Sequence, residues 1–380
     1  MERIYLDNAA TTSVAKEVIE EIKSKIGIYG NPSSRHSIGK EAKIEIEKAR
    51  EKIAKFIGAK PEEIVFTSGA TESNNLALKG VLMSGNKKHI VVSNIEHPAV
   101  MEVCEELKKH GCKVSYVGVN QDGIINPKDV EKAITKDTAL VSVMHVNNEI
   151  GTIQPIEEIA KMCKEKKVLF HTDAVQSFGK IKIDVSIGID LMSASGHKIN
   201  ALKGIGFLYV RKGINISPLI NGGGQENNLR SGTENILGII SLAKAIELKR
   251  KSEDVRKSRD RIIDELLKIP GAKLNGSCEK RIYNNIAISF YGIEGESLQM
   301  LLDEDNICVS TGSACSSNKL AGSHVLKAIN TGKMYLNGNI RISLDSLSVL
   351  TKEQENYVIK KIKENVEKLS MVSPFKFNGK

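Results

Sequence analysis

The chain has 380 residues, of which 41% are hydrophobic and 27% charged, enough apolar material for a large core and for one to three domains. Its formal net charge is +9, but the basic residues lie in helical stretches such as Lys40 to Lys60 and Lys249 to Lys257 without aromatic interleaving, so solvated helix faces are a simpler reading than a polynucleotide groove. No apolar run is long enough to span a bilayer, no signal-peptide pattern opens the chain, and six cysteines without a CxxC pair or tight Cys/His cluster exclude a disulfide framework, so a cytoplasmic protein is expected.

From Ile4 to about Ile28 the sequence predicts a short opening segment and a helix, followed by a turn at Gly30 to Ser34. Lys40 to Ile57 carries apolar residues at helical spacing, and Gly58 ends the run. A strand, Ile64 to Thr67, then enters Ser68-Gly69-Ala70-Thr71 and a helix to about Leu78. Short apolar runs alternate with helical patterns from there. They are His89 to Ser93, Lys113 to Val117, Ala139 to Met144, Val168 to Thr172, Leu191 to Ser193 and Gly206 to Val210, with helices from Ala99, around Pro127 to Ile134 and from Ile156. Strands alternating with helices imply crossover connections and a largely parallel sheet covered on both faces. Beyond Gly232 the pattern changes: one long helical stretch, about Glu234 to Leu267, precedes strands at Asn285 to Phe290, Ile307 to Val309 and Ile340 to Leu344 and an amphipathic helix, Thr351 to Leu369. This predicts a smaller α+β domain, completed by the N-terminal residues.

Several segments carry residue types suited to chemistry. Ser68 to Thr71 sits where a strand becomes a helix, so backbone N–H groups can cradle a phosphate; a helix capped by Ser68 or Thr71 is the alternative. His97 follows a strand and can stack on a flat ring or simply satisfy a turn. Asp173 ends an apolar run, where an unpaired carboxylate is costly; a protonated heteroaromatic nitrogen would pair with it, or it caps the next segment. Lys198, in Ser195-Gly196-His197-Lys198, is enclosed by small residues and a histidine, which suits imine chemistry; a surface lysine beside a turn is the competing reading. Gly222 to Gly224 and Arg230 to Thr233 mark a constrained loop, in which Thr233 can donate to a phosphate and Arg230 can anchor the loop to the adjacent domain. Cys104, Cys112 and Cys163 fit small buried thiols, whereas Cys315, among small polar residues from Ser310 to Ser317, suits a reactive thiolate. Arg341 can clamp a carboxylate or end a strand in solvent.

From Tyr5-Leu6-Asp7-Asn8-Ala9-Ala10-Thr11-Thr12 to at least Leu344, the chain resembles the cysteine desulfurase family, in the class V aminotransferase group of fold-type I pyridoxal phosphate enzymes. Asn31 to Ser34, Gly69 to Asn74, Asn147 to Gly151, His171 to Gln176, Ser195 to Lys198 and Arg230 to Asn235 carry the match, and Ser313 to Ser317 resembles the branch serving iron–sulfur cluster assembly and tRNA thiolation. The resemblance implies an α/β fold with a mostly parallel seven-stranded sheet between helices. It divides the chain into an N-terminal segment (1–14), a large cofactor-binding domain (15–255) and a small α+β domain bearing the cysteine loop (256–380).

It further implies a Schiff base between pyridoxal phosphate and Lys198, ring stacking and proton transfer by His97, and Asp173 at the ring nitrogen with Gln176 at the ring hydroxyl. Ala70, Thr71, Ser195 and His197 would surround the phosphate, with Thr233 supplied by a second identical subunit. Asn148, Arg341 and Asn31 would hold the substrate carboxylate, Asn148 also lying beside the cofactor. Cys315 would take sulfur from L-cysteine as a persulfide, for an iron–sulfur scaffold or tRNA-thiolation acceptor. No metal is implied in the core site, with Cys315 as a transient iron–sulfur ligand, and neither membrane nor direct nucleic-acid binding. A selenocysteine lyase, an aminotransferase and a catalytically weakened sulfur-transfer scaffold are the rival readings. Departures from the family pattern fall at Asn200-Ala201-Leu202, Asn221, Asn227 and Asp345, the first of which would loosen the loop after Lys198.

Overall fold

The computed structural model describes residues 2–311 and 322–377. In chain order its strands are β1 (Ile4–Tyr5), β2 (Ile64–Thr67), β3 (His89–Ser93), β4 (Lys113–Val117), β5 (Thr138–Ser142), β6 (Leu169–Asp173), β7 (Leu191–Ser195), β8 (Gly206–Val210), β9 (Ala272–Leu274), β10 (Asn285–Phe290), β11 (Ile307–Cys308) and β12 (Asn339–Ser343). The helix Ser37–Ile57 shows how sequence becomes element. Ala42, Ile46, Ala49, Ile53 and Ile57 form one buried stripe, and Gly58 closes the helix at φ 74°, a left-handed conformation glycine adopts without a Cβ penalty.

Seven strands form one sheet in the order β2-β8-β7-β6-β5-β3-β4. Only β8 runs against its neighbours, antiparallel to both β7 and β2, while the pairs from β7 through β4 are parallel. Successive side chains point to opposite faces: Phe66, Val91, Phe170 and Phe207 enter one buried cluster, and Val65, Ile90, Val92 and Leu208 another. Covering of both faces explains why these strands read as continuous apolar runs. The carboxyl ends of β2, β3, β6 and β7 meet along one edge, where open α/β sheets bind ligands.

A second core gathers around the antiparallel sheet β12-β10-β9, with Ile286, Ile288, Ile340 and Ile342 buried between it and the helices Ser252–Leu266 and Lys352–Val372. The N-terminal strand β1 pairs in parallel with β11, and Asp7 bridges to Ser343, which brings residues 7–12 to the edge of the large sheet. Two predictions need correction. The helical stretch expected from Glu234 to Leu267 is two helices, Ile236–Ala245 and Ser252–Leu266. Between them Arg250 bonds the carbonyls of Gly179, Ile199 and Ala245, and the Lys251 amide donates to Ser346 at 2.9 Å, so tertiary partners replace the intrahelical ladder. Strand β9, three half-buried residues on one edge of the small sheet, was not foreseen.

Candidate active site

A cavity of about 550 Å³ opens at the carboxyl edge of the large sheet. The chain leaves β2 at Thr67, turns through Gly69 and starts the helix Ala70–Ser84, placing Ala70 and Thr71 on the cavity wall. The turn lies against Gly206, where a Cβ would stand 2.7 Å from the Gly69 Cα, so only glycine fits. Gly69, not Ser68 or Thr71, occupies the cap position, and no side chain caps the helix. Its first-turn N–H groups therefore remain available to an anion.

Asp173 ends β6 and is buried. One carboxylate oxygen accepts the Asn74 side-chain amide at 2.8 Å and the other accepts the Val175 backbone N–H at 2.9 Å. Gln176 donates to the Ala9 carbonyl at 2.9 Å and accepts from buried Lys180 at 3.1 Å, so its amide orientation is fixed from both ends. Burial, with Lys198, Arg250 and Arg341 nearby, lowers the Lys180 amine to about 7. Lys198 closes the short turn Gly196–Lys198 after β7, half-buried on the cavity wall. Its Nζ donates to the carbonyls of Ala9 and Ala10 at 2.7 and 2.6 Å, so this is not a solvated surface lysine.

His97 follows β3 and caps the helix Pro98–Lys109, its Nδ1 accepting the Ala99 N–H at 3.1 Å. Burial and the cationic neighbours Lys198 and Arg341 lower its basicity, against the pull of Asp173. Ser195 ends β7, and His197 meets the Thr11 hydroxyl at 3.1 Å; burial, then Lys198 and Lys203, push the His197 imidazole down to about 4. From β12, Arg341 reaches the Asn148 carbonyl at 3.0 Å and the Asp7 carboxylate at 2.8 Å, while its Nε, buried, has no partner among the described residues.

Ten of the expected residues thus share one cavity: Ala70, Thr71, His97, Asn148, Asp173, Gln176, Ser195, His197, Lys198 and Arg341. Asn31 is exposed and spends its side-chain oxygen on the Ser33 N–H at 2.9 Å, and Thr233 is exposed as well; neither lines this cavity within its own chain. Cys315 lies outside the described residues. Arg230 pairs with Glu72 at 2.9 Å, tying the loop that precedes Thr233 to the helix Ala70–Ser84 instead of to the second core.

The family model described as aminotransferase class-V matches residues 4–353. A cysteine desulfurase IscS of Dictyoglomus turgidum is 50% identical over 383 residues, covering 98% of this chain and 97% of that one. A cysteine desulfurase IscS of Methanosarcina thermophila is 46% identical, covering 98% and 94%. The chain belongs to the cysteine desulfurases of the class-V aminotransferase family. Among solved structures, a NifS-like protein superposes with a TM-score of 0.90 at 42% identity, covering 97% of this chain and all of that one. SspA in complex with cysteine gives a TM-score of 0.83 at 39% identity, covering 91% of this chain and all of that one.

Cysteine desulfurases depend on pyridoxal phosphate, and this cavity suits that group. An uncapped helix start faces the space a phosphate needs, and Asp173 is a buried carboxylate held by amides, with no lysine or arginine in ion-pair contact among the described residues. The departure at Asn200 does not free the loop. Asn200 takes φ 70°, which asparagine tolerates, and bonds the Thr12 hydroxyl at 2.8 Å and the Ser13 carbonyl at 3.1 Å. Four groups of the site drew no role from sequence: Asn74, Glu149, Lys180 and His324. Asn74 and Glu149 stood inside motifs already noted, but their polar partners come from distant segments.

Proposed function

We propose that this cavity binds pyridoxal phosphate and converts L-cysteine to L-alanine, passing the sulfur to Cys315 as a persulfide. The observation that carries the reading is the convergence of Lys198, Asp173 and the uncapped start of the helix Ala70–Ser84 on one cavity. In the reaction the substrate C–S bond breaks, an S–S bond forms at Cys315, and the carbon that loses sulfur gains a proton, so no outside oxidant is needed. The bound ring supplies an electron sink for the pair left at the substrate alpha carbon. Asp173 would keep a proton on the ring nitrogen, and Gln176 would face the ring hydroxyl with the donor end that now holds Ala9. Ala70, Thr71, Ser195 and His197 would hold the phosphate. Lys198, covalently bound at rest, would move the proton at the alpha carbon once its amine is displaced. Arg341 and Asn148 would grip the substrate carboxylate, since a guanidinium carries five N–H donors and the Asn148 carbonyl and Asp7 engage only two of them among the described residues.

In this reading the functional unit is a homodimer, since Thr233 stands away from its own chain's cavity and would serve the partner's. The division at residues 14 and 255 follows the same reading, as does delivery of the persulfide sulfur to an acceptor in iron–sulfur cluster assembly or tRNA thiolation. The test is to incubate the purified protein with L-cysteine, quantify alanine, and map added sulfur to individual cysteines by mass. Stoichiometric alanine with 32 mass units, about one sulfur atom, on Cys315 is the expected result. In Cys315→Ala the cofactor absorbance should persist while persulfide formation disappears; sulfide release by that variant at the parent rate would refute the thiol's role.

A further inference from the structure

Lys180 is buried, does not line the cavity, and takes no part in the reaction derived above. After β6 the chain coils back on itself, the Phe178 and Ile181 N–H groups donating to the carbonyls of Ala174 and Ser177 at 2.7 and 3.0 Å. Arg250 holds this turn from outside through the Gly179 carbonyl. Gln176 and Lys180 are thereby set four residues apart, a spacing at which side chains on a helical turn meet. The Lys180 Nζ donates to the Gln176 Oε1 at 3.1 Å, the one hydrogen bond this amine makes among the described residues.

The two ends of a glutamine amide have the same shape, so its partners decide which way it faces. The Ala9 carbonyl can only accept, so the Gln176 NH2 group turns to it at 2.9 Å. An ammonium can only donate, so the Gln176 oxygen turns to Lys180. The NH2 group has two N–H bonds and the Ala9 carbonyl takes one; Gln176 lines the cavity, which leaves the other for a ligand there. A cation bonded to the amide oxygen draws electron density from the nitrogen and makes that N–H a stronger donor. Burying an amine for packing alone would be costly.

We propose that Lys180 is a positioning residue for Gln176: from behind, it holds the carboxamide with its N–H groups turned to the cavity, and its charge strengthens them as donors to the cofactor's ring hydroxyl. Burial lowers the amine, helped by the cations Lys198, Arg250 and Arg341 and opposed by Asp345, which are the charged groups facing it. An anionic ring oxygen would draw the amine back to its charged form. By the same linkage the charged amine favours the anionic oxygen. A proton carried by the bound cofactor beside that oxygen is therefore released at lower pH than it would be without Lys180.

The inference rests on the cofactor reading, and the experiment separates the two. The visible band of the reconstituted protein is titrated from about pH 6 to 10 in the parent, Lys180→Met, Lys180→Gln and Lys180→Arg, and urea midpoints are measured for the same proteins without cofactor. In the two uncharged variants the midpoint of the band should rise by about one pH unit. Lys180→Arg keeps a cationic donor and should return to the parent midpoint. In a Gln176→Leu background, where the donor is already gone, adding Lys180→Met should move the midpoint little. A parent midpoint in the uncharged variants would overturn the proposal, as would the full shift persisting in the Gln176→Leu background. Loss of cofactor binding in both uncharged variants, with their urea midpoints lowered in parallel, would overturn it in favour of a purely structural lysine. A reconstituted parent without a cofactor band would instead overturn the cofactor reading itself.

Discussion

Asp173 pairs with amides that can donate to a carboxylate but cannot neutralise it, in a site where burial makes an isolated charge costly. In the proposed reading a protonated ring nitrogen would offset that cost, and the carboxylate would keep the proton there. Asp173→Asn keeps the shape but replaces the anion with a neutral amide. The expected outcome is a fall of at least about 100-fold in alanine formation, the scale of a lost electrostatic partner, with cofactor still bound. Parallel absorption and product assays check this, and a parent-like turnover would remove Asp173 from the ring. At this scale the sequence was informative where a distinctive residue type follows an apolar run, as with His97, Asp173 and Lys198. It was silent where meaning comes from a distant partner: Asn74 and Asp173 are 99 residues apart, and Lys180 reads as an ordinary surface charge until it is found buried against Gln176.

Among the elements, alternation of apolar runs was enough to locate the seven strands of the large sheet to within a few residues, because burial on both faces leaves no polar interruption. The break after Ala245 was not legible because its cause, Arg250, bonds carbonyls from segments far away in sequence. A buried ion pair has a comparable organising role at β2. Arg50, on the helix Ser37–Ile57, makes a two-pronged contact with Glu226, both distances 2.8 Å, and Glu226 also accepts the Phe66 N–H at 2.8 Å. This ties the loop carrying Glu226, Asn227 and Asn228, all with positive φ, to the edge strand of the large sheet. Arg50→Met strands the Glu226 carboxylate in a buried site and is expected to cost about 3–5 kcal/mol. Adding Glu226→Gln should recover part of that loss, since the uncompensated charge disappears. Urea midpoints of the single and double variants measure the coupling; equal midpoints for parent and Arg50→Met would show that the pair does not hold the loop.

Across the whole molecule, buried ionisable groups link the stability of the fold to pH in opposing directions. His145, His171 and His197 are lowered by burial to about 4, 3 and 4. Below pH 6.5, roughly the unfolded imidazole value, the unfolded chain binds protons these rings refuse, so their contribution to stability is lost as pH falls toward those folded values. Glu149 does the reverse. Burial raises its carboxyl to about 7, with the Ser323 hydroxyl and Arg341 pulling the other way. Its native form holds a proton that the unfolded chain has already released above pH 4.5, so its contribution is complete below that point and is lost as pH rises through 7. Glu149→Gln keeps an acceptor for Ser323 and removes the titration. Relative to the parent, the variant should therefore gain roughly 3 kcal/mol of stability on moving from pH 4.5 to pH 8, and subtracting the two curves cancels the histidines common to both. Unfolding measured across that range tests it: parallel curves would mean that Glu149 is ionised in the folded protein throughout, and that the cavity wall behind Asn148 and Arg341 is more polar than its burial implies.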